Sequence, residues 1–574
     1  MDGGESSGDG GKPSTIDELS SRSSSSGPPL TQPLLFKPSP SPDFASIEEY
    51  TATHPSFVPP EEDSVQYPPI SFQEGPRPFR DLSFLILFLL FSVATIALGI
   101  CAVALRNPNF SRVSSFSFDS NSSSCVLSGS SSSEVSSPWI PRLDSSLYSS
   151  SSLVKDLVWT LVITFILSIP ILFLLLWILK HYAKQIVYGS LPFFVLIPTF
   201  LNVYWFVACT LGSTCKEFLP LASRILVLVF IFLLIGVVVW IIVANWHRIE
   251  LTSRIVGVAA HALSNNLELL AVLPSLSLGL VIYYVPLVIF LVFARQNGKI
   301  VARSSSEGYY CTWKQHSWVP AYFTLGILTM LWSLTVMVET QVYVVSGTVA
   351  QWYFSREGKR PRRIIRSSLR NAFGPSSGTV CFSGLIMSGI RVVRAIVDSA
   401  NLEDGTRGIV NVMLKCCANL LLSAIHFVNK FTINFAAITG EGYCSSARMA
   451  YELLKRNLLS AVFVETVSTR ILVGINFVLS AVYAILVWVI LRSVSSLGMA
   501  SYLVAASSWL LLMAVLGFLV HVLDEVIDTV YVCFAIDRDK GEVSKQEVHA
   551  VYVLLPISRN DRPSLAARTP PLLA

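Results

Sequence analysis

The stretch ILVLVFIFLLIGVVVWIIV, Ile225 to Val243, contains no charged residue. It is long enough to cross a membrane as a helix, which takes about 20 apolar residues. The whole chain follows this pattern, since 52% of its 574 residues are hydrophobic and only 14% are charged. In a soluble domain about a quarter of the residues are charged. The sequence therefore predicts an integral membrane protein whose first partner is the lipid bilayer.

Nine further apolar stretches are candidates for membrane spans. The predicted fold class is therefore an all-α polytopic membrane protein with about ten transmembrane helices, in a transmembrane domain over residues 81–538. The ten predicted spans are Leu82–Leu105, Leu157–Leu179, Ile186–Leu211, Ile225–Val243, Leu276–Phe293, Val319–Val345, Gly378–Ile396, Ile409–Ile438, Ile471–Leu491 and Tyr502–Val522.

The orientation depends on the stretch Arg254–Phe293, which Pro274 and Pro286 interrupt and which can hold either one span or two. With one span, the basic cluster in Arg356–Arg370 falls on the cytoplasmic side; with two, it falls outside. Because cytoplasmic loops carry an excess of Lys and Arg, one span is favoured. Residues 254–270 then form an amphipathic helix on the cytoplasmic surface, and both termini are cytoplasmic.

Polar segments flank the predicted membrane domain. Residues 1–80 are rich in Ser, Pro, Gly and acidic residues and predict a disordered cytoplasmic tail. Residues 539–574 predict a second cytoplasmic tail. The Ser-rich loop 106–152 is predicted to be external, where its sequons at Asn109 and Asn121 become candidate glycosylation sites.

Three cysteines, Cys125, Cys215 and Cys311, fall in predicted external loops, and Cys209 lies near the outer end of its helix. An oxidising compartment permits a disulfide among them. The sequence does not choose the pair.

Enzyme signatures are absent from the sequence: it has no phosphate-binding loop, HExxH, GxSxG or kinase motif set. Cys416 and Cys417 lack partners at metal-ligand spacing. The net charge of +5 is spread over short segments with no basic arm, so it reports topology and contact with anionic lipid. We expect no enzymatic activity, no cofactor, no metal site and no nucleic-acid partner.

Glu339 is the first candidate site residue. It precedes the interfacial aromatic set Trp352–Phe354 by roughly 20 Å of helix, which places it near the membrane midplane. A carboxylate there costs about 2.5 to 3.5 kcal/mol. Glu339 is either a group that binds substrate or protons, or a protonated carboxyl hydrogen-bonded within the bundle.

His521, Asp524 or Glu525, and Asp528 recur at helical spacing at the predicted cytoplasmic end of the last span. One interpretation is a solvated helix end. The other is an inner gate or proton relay, in which a histidine beside carboxylates titrates near neutral pH.

Aromatic side chains deep in the predicted spans form another candidate set. Each aromatic face can hold an organic cation with about 0.5 to 2 kcal/mol. Most membrane aromatics serve packing or the interface, so their pairing with Glu339 is what suggests a cation cage. The candidates are Tyr204, Trp205, Tyr283, Tyr284, Trp332, Tyr343 and Trp509.

Several separated motifs follow one another between Leu331 and Asp539. They are Leu331-Trp332 followed by Ser346–Phe354; Gly378–Ile386, ending at Arg391; Asn429-Lys430, Ala437–Gly440, Tyr443–Arg448 and Lys455–Asn457; and Asp528-Thr529 with Cys533-Phe534 and Asp537–Asp539. As a set they resemble the choline transporter-like family of solute carriers. The first half of the chain adds only a matching topology.

The resemblance implies a multi-pass plasma-membrane transporter of choline or a related quaternary ammonium or amine solute. It further implies alternating access, with proton exchange as the candidate coupling. Phe431 and Ile433 stand where many members have Asn and Tyr, and Glu339 stands where many have a small residue. The family's selectivity and a family role for Glu339 therefore do not transfer automatically.

Other functions and locations remain open at the level of sequence. One is a non-transporting scaffold or trafficking protein that acts through the N-terminal tail and the basic cytoplasmic loops. Another is a carrier or channel for a different solute. An internal membrane is the alternative location.

Overall fold

Long helices make up most of the structure, a computed structural model that describes residues 72, 77–119, 124–127, 151–211, 220–305, 308–355, 363–403, 409–494, 500–540 and 542–555. A helix satisfies its backbone hydrogen bonds internally, as lipid requires. The helices are α1 (Leu82–Ala104), α2 (Ser151–Leu211), α3 (Leu221–Ala244), α4 (Trp246–Ser264), α5 (Leu269–Ala294), α6 (Trp318–Phe354), α7 (Ile364–Phe373), α8 (Ser377–Glu403), α9 (Ile409–Thr439), α10 (Tyr443–Val494), α11 (Ala500–Lys540) and α12 (Gln546–Tyr552).

Nine helices of the described residues are long and apolar enough to cross a membrane. The all-α polytopic fold class is thereby confirmed. One of the nine, Val154–Leu211, has 58 residues, or about 87 Å of helix. It is interrupted at Tyr182, whose φ of −129° and ψ of 29° are not helical. The interruption falls between the predicted spans Leu157–Leu179 and Ile186–Leu211, so this one helix covers two of the ten predicted spans.

The stretch 254–293 contains one membrane-length helix among its residues, α5. The preceding α4 begins at Trp246, earlier than the predicted start at Arg254. Its apolar face is buried against α2 and α11, with Ile255, Val256 and Leu263 fully buried. We therefore correct the predicted surface helix 254–270: protein helices, rather than lipid, cover its apolar face.

Two antiparallel hairpins lie at one end of the bundle. Strands β1 (Phe116–Asp119) and β2 (Ser124–Leu127) form the first, and β3 (Gly298–Ser305) and β4 (Gly308–Gln315) form the second. A disulfide between Cys125 of β2 and Cys311 of β4 joins them. The disulfide therefore joins the predicted loop 106–152 to the segment between α5 and α6.

Helices α6, α9 and α11 pack together at the centre of the bundle. Every residue from Phe431 to Thr439 of α9 and from Val522 to Asp537 of α11 is buried, as expected for helices enclosed on all sides. Small residues permit the close approach. A Cβ on Gly347 of α6 would lie 3.9 Å from the carbonyl oxygen of Ala437 on α9.

The structure corrects the predicted limits of both tails. Arg77, inside the predicted tail 1–80, is only 8% exposed and donates hydrogen bonds to α6 and α9. In the predicted tail 539–574, α12 packs on the bundle and buries Val548 and Tyr552. Each predicted tail therefore contains residues that pack on the bundle, which its polar composition does not reveal.

Candidate functional site

Glu339 lies on α6 and is almost completely buried. Its Oε2 accepts a hydrogen bond from Ser383 Oγ on α8 at 2.9 Å. Asn429 on α9 continues the contact, because its Oδ1 lies 3.0 Å from Ser383 Oγ and accepts a hydrogen bond from Tyr443 Oη on α10 at 2.7 Å. Side chains from four helices therefore meet around one carboxyl group.

The approach of α8 to α6 positions Ser383 beside Glu339. A Cβ on Gly384 would lie 2.9 Å from the backbone nitrogen of Val336, so only glycine permits this spacing. Thr335 Oγ1 donates a hydrogen bond to the carbonyl oxygen of Gly384 at 2.7 Å. The two helices are thus held together one turn from the carboxylate.

A second polar group, the charge cluster, consists of Lys430 on α9 and Asp524, Glu525 and Asp528 on α11. Lys430 Nζ lies 2.7 Å from Asp524 Oδ2, 2.5 Å from Asp528 Oδ2 and 3.6 Å from Glu525 Oε1. All four side chains are nearly or fully buried, and Thr469 of α10 donates a hydrogen bond to Asp524 Oδ1. Asp524 and Asp528 face the same way because they are one helical turn apart.

The charge cluster contains more acidic groups than basic ones. One ammonium group faces three carboxyl groups, and Glu339 reaches the neighbouring residue of α9, Asn429, through Ser383. Taking a charge out of water costs several kcal/mol unless it is paired. The buried carboxyl groups of Asp528 and Glu339 are therefore suited to binding protons or a cation.

Polar contacts between α6, α9 and α11 continue from this level toward the end of the bundle opposite the hairpins. Ser346 Oγ donates to Asn434 Oδ1 at 2.7 Å and accepts from Thr529 Oγ1 at 3.1 Å. Further along, Tyr353 Oη donates to Asp537 Oδ2 at 3.0 Å. From Glu339 to Tyr353 this polar seam covers about 21 Å of α6.

The structure corrects the predicted setting of the acidic residues on the last span. Helix α11 continues to Lys540, so Asp524 and Asp528 lie in its interior rather than at a solvated end. His521 is exposed, whereas both aspartates are buried. His521 therefore does not share the buried environment of the two aspartates. Their buried partner is Lys430 of α9.

The residues of the predicted aromatic cage contact different parts of the bundle. Tyr204 is 72% exposed on α2, next in sequence to Trp205. Trp332 packs edge-on against Phe88 of α1 at 5.2 Å between ring centroids. Trp509 packs edge-on against Phe477 of α10 at 5.7 Å.

The remaining cage candidates form hydrogen bonds or ring contacts elsewhere. Tyr284 Oη donates to the carbonyl oxygen of Met330 at 2.6 Å, and the Tyr283 ring lies 5.8 Å from that of Tyr284. Tyr343 Oη accepts a hydrogen bond from Arg77. Hydropathy located these rings at membrane depth, but it carries no information on which helices face one another.

The predicted modification sites are only partly described. Asn109 is exposed in a 3-10 helix, Pro108–Ser115. Cys209 is disulfide-bonded. Asn121 and Cys215 lie outside the described residues.

Lys430 and Ser383 are the main residues of this region that were not assigned a role from sequence. Lys430, in the middle of the membrane-length helix Lys415–Thr439, is a signal, because a charge at membrane depth is by default a functional candidate. Ser383 carries no comparable signal, since serine is common in membrane helices.

Comparison with known proteins identifies the family of this chain. A family model for plasma-membrane choline transporters matches residues 229–539, more than half of the chain. The chain belongs to the plasma-membrane choline transporter family. The matched region contains Glu339, its partners and the whole charge cluster.

Curated members of the choline transporter family align over shorter segments. Choline transporter-like protein 5 of Macaca fascicularis is 26% identical over 166 residues, which is 27% of this chain and 23% of that protein. Choline transporter-like 2 of Anopheles gambiae is 27% identical over 26% of this chain and 19% of its own length. Choline transporter-like protein 4 of Sus scrofa is 28% identical over 26% of this chain and 22% of its own length. The aligned parts thus span about a quarter or less of these relatives.

Proposed function

We propose that this protein carries choline or a related quaternary ammonium or amine cation across the membrane by alternating access. The observation that supports this most directly is the presence of the buried carboxyl groups of Glu339, Asp524 and Asp528 where α6, α9 and α11 meet. Membership of the choline transporter family points to the same class of substrate.

The chemistry of the substrate fits an acidic region better than a hydrogen-bonding one. A quaternary ammonium nitrogen has no hydrogen to donate, so the carrier must attract it through negative charge and aromatic faces. Near Asn429, the Tyr443 ring lies 4.5 Å from that of Phe382. These two rings replace the scattered predicted cage as the candidate aromatic contacts.

Lys430 supplies the internal counter-charge in the proposed cycle. When no substrate cation is present, its ammonium group neutralises part of the acidic cluster. A substrate cation that approaches adds positive charge, which favours loss of a proton from Asp528 or Glu339. A proton bound in place of the departing cation completes an exchange, and the charge balance is then preserved in both halves of the cycle.

The disulfide supports an orientation for the proposed transporter. Cys125 and Cys311 join the hairpins at one end of the bundle, and disulfides persist in oxidising compartments. The opposite end contains the exposed Arg363, Arg366 and Arg370, in agreement with the positive-inside rule. We therefore infer that the hairpins face away from the cytoplasm and that both termini are cytoplasmic. The description of the matching family supports the plasma membrane as the location.

Uptake by purified protein tests the proposal directly. Vesicles containing the protein should accumulate labelled choline with saturable kinetics, and an imposed pH gradient should change the rate. Asp528→Asn should reduce uptake at least tenfold, whereas Lys415→Met, at the more exposed Lys415–Asp398 pair, should not. Folded wild-type protein that shows no saturable choline uptake under any pH gradient would overturn choline as the substrate and leave the scaffold and the carrier or channel for a different solute as the interpretations.

A further inference from the structure

Residues Arg77–Asp81, which we call the strap, cross the end of the bundle opposite the disulfide and lead directly into α1. Arg77 is buried between helices. Its Nη1 donates to Tyr343 Oη on α6 at 2.5 Å, and its Nη2 donates to the carbonyl oxygen of Ala437 on α9 at 2.8 Å. The strap therefore inserts a guanidinium group into the bundle before the first transmembrane helix begins.

Asp81 makes the second anchor of the strap. Its Oδ2 accepts hydrogen bonds from the backbone nitrogen of Tyr443 on α10 at 2.7 Å and from Thr379 Oγ1 on α8 at 2.8 Å. Asp81 has a φ of 51°, a left-handed conformation that non-glycine residues seldom adopt. Such backbone geometry persists only when surrounding contacts hold it.

The two anchors cap two helix ends that face each other. Ala437 lies in the last turn of α9, where carbonyl groups lack helical partners, and Tyr443 is the first residue of α10, where N–H groups lack them. A cation at a helix C-terminus and an anion at an N-terminus are both favourable. Between them, Gly440 has a φ of 73° and ends α9. The strap thus closes over the connector between α9 and α10.

The surfaces under the strap lack side chains where it passes. A Cβ on Gly442 of the connector would lie 3.3 Å from Asp81 Oδ2, and a Cβ on Gly378 of α8 would lie 2.5 Å from the carbonyl oxygen of Arg80. The backbone nitrogen of Arg80 also donates to the carbonyl oxygen of Pro375 at 3.1 Å. The close fit shows that the strap occupies a shaped groove.

We propose that the strap is an inner latch that holds this end of the bundle closed and must be released for the bundle to open there. It ties α1 to α6, α8, α9 and α10, and it lies at the end toward which the polar seam runs. Separation of these helices breaks the contacts of Arg77 and Asp81. The proposal deepens the proposed function, on which it rests, because alternating access requires this end to open.

Two features suit the strap to reversible release. Arg77 Nε has no hydrogen-bond partner among the described residues, so the buried guanidinium is incompletely satisfied. The pair between Arg80 Nη2 and Glu441 Oε2, 3.3 Å apart, is 43% and 42% exposed and contributes little. The latch therefore depends on two residues, and the strap connects them to the N-terminal tail.

A cysteine placed under the strap reports its release. Ser376 is 2% exposed, and its Oγ accepts a hydrogen bond from Tyr343 Oη at 2.8 Å. In a Ser376→Cys background, a maleimide is added to the purified protein without substrate, and the labelling rate of each cysteine is followed by mass spectrometry of its peptide. The native Cys533, fully buried in α11, serves as the internal reference for unfolding.

Arg77→Gln and Asp81→Asn should each raise the labelling rate at position 376 at least tenfold, while Arg80→Gln, the matched control on the strap, should change it less than twofold. Cys533 should keep its wild-type rate. The proposal is overturned if neither variant accelerates labelling at position 376. It is also overturned if Cys533 accelerates to the same extent, because the strap would then serve only overall stability.

The labelling experiment is independent of transport. If wild-type vesicles take up no choline but the two variants open at position 376, the proposed function fails and the latch stands. If uptake is saturable but labelling is unchanged, the latch fails alone.

Discussion

Lys430 Nζ lies 2.5 Å from Asp528 Oδ2 and 2.7 Å from Asp524 Oδ2, so one ammonium group of α9 joins two carboxyl groups that are one turn apart on α11. Asp528 is completely buried. Its second oxygen, Oδ1, has no hydrogen-bond partner within the described part of the chain. The contact therefore links α9 to α11, and it leaves Asp528 Oδ1 able to accept a hydrogen bond.

Removal of the lysine charge should destabilise the protein. Lys430→Met leaves the acidic groups uncompensated, and breaking a buried ion pair on one side costs about 3 to 5 kcal/mol. Chemical unfolding in detergent should show a decrease of this size in the free energy of unfolding. Lys415→Met, whose Nζ lies 3.0 Å from Asp398 Oδ1 with a 39% exposed side chain, should cost less than about 1 kcal/mol.

A double variant can separate the interaction between Lys430 and Asp528 from the other effects of replacing the lysine. Asp528→Asn combined with Lys430→Met should cost less than the sum of the two single changes, because the interaction is already absent after the first. Strict additivity would show that the two groups do not interact.

Neutralisation of Glu339 should separate stability from transport. Glu339→Gln keeps an oxygen that can accept the hydrogen bond from Ser383 Oγ, but it removes the group that can bind and release a proton. We expect the free energy of unfolding to stay within about 1 kcal/mol of wild type and choline uptake to fall at least tenfold. Ser383→Ala is the matched variant that retains the carboxyl group. Full uptake by Glu339→Gln would reduce Glu339 to a packing residue.

Loss of the disulfide should destabilise the hairpin end. Cys125 and Cys311 are 186 positions apart in sequence, and removal of a disulfide that closes a long loop typically costs about 2 to 5 kcal/mol. Cys125→Ser, Cys311→Ser and the double variant should therefore show the same lowered Tm, and peptide mapping without reductant should lose the Cys125–Cys311 cross-link in all three. A single variant that matched wild type would contradict the pairing.

The C-terminal helix should be required for stability. Asp537 Oδ2 accepts from the backbone nitrogen of Ser544 at 2.8 Å and lies 3.3 Å from His549 Nε2. A chain that ends at Lys540 loses these contacts and the buried Tyr552, whose burial alone is worth about 1.5 to 3 kcal/mol. Its Tm should fall, whereas a chain that ends at Leu555 keeps every one of these contacts and should unfold at the wild-type temperature.

Much of the architecture could be predicted from the local pattern of the chain. The predicted span Ile409–Ile438 corresponds to α9, which runs from Ile409 to Thr439. The predicted span Leu82–Leu105 corresponds to α1, which runs from Leu82 to Ala104. These limits are local because a helix in lipid needs only an unbroken apolar run. The predictions failed at the ends, where α11 extends past Val522 and Arg77 enters the bundle, since there packing against protein replaces the lipid that hydropathy describes.

The sequence by itself determined that the chain is a multi-pass helical membrane protein and that its motifs resemble those of the choline transporter family. Only the tertiary structure decided that Lys430 pairs with Asp524, 94 positions away, and that Arg77 and Asp81 cap α9 and α10. Hydropathy acts over a few neighbouring residues. Ion pairs and caps depend on distances between helices that are remote in sequence, and only packing sets those distances.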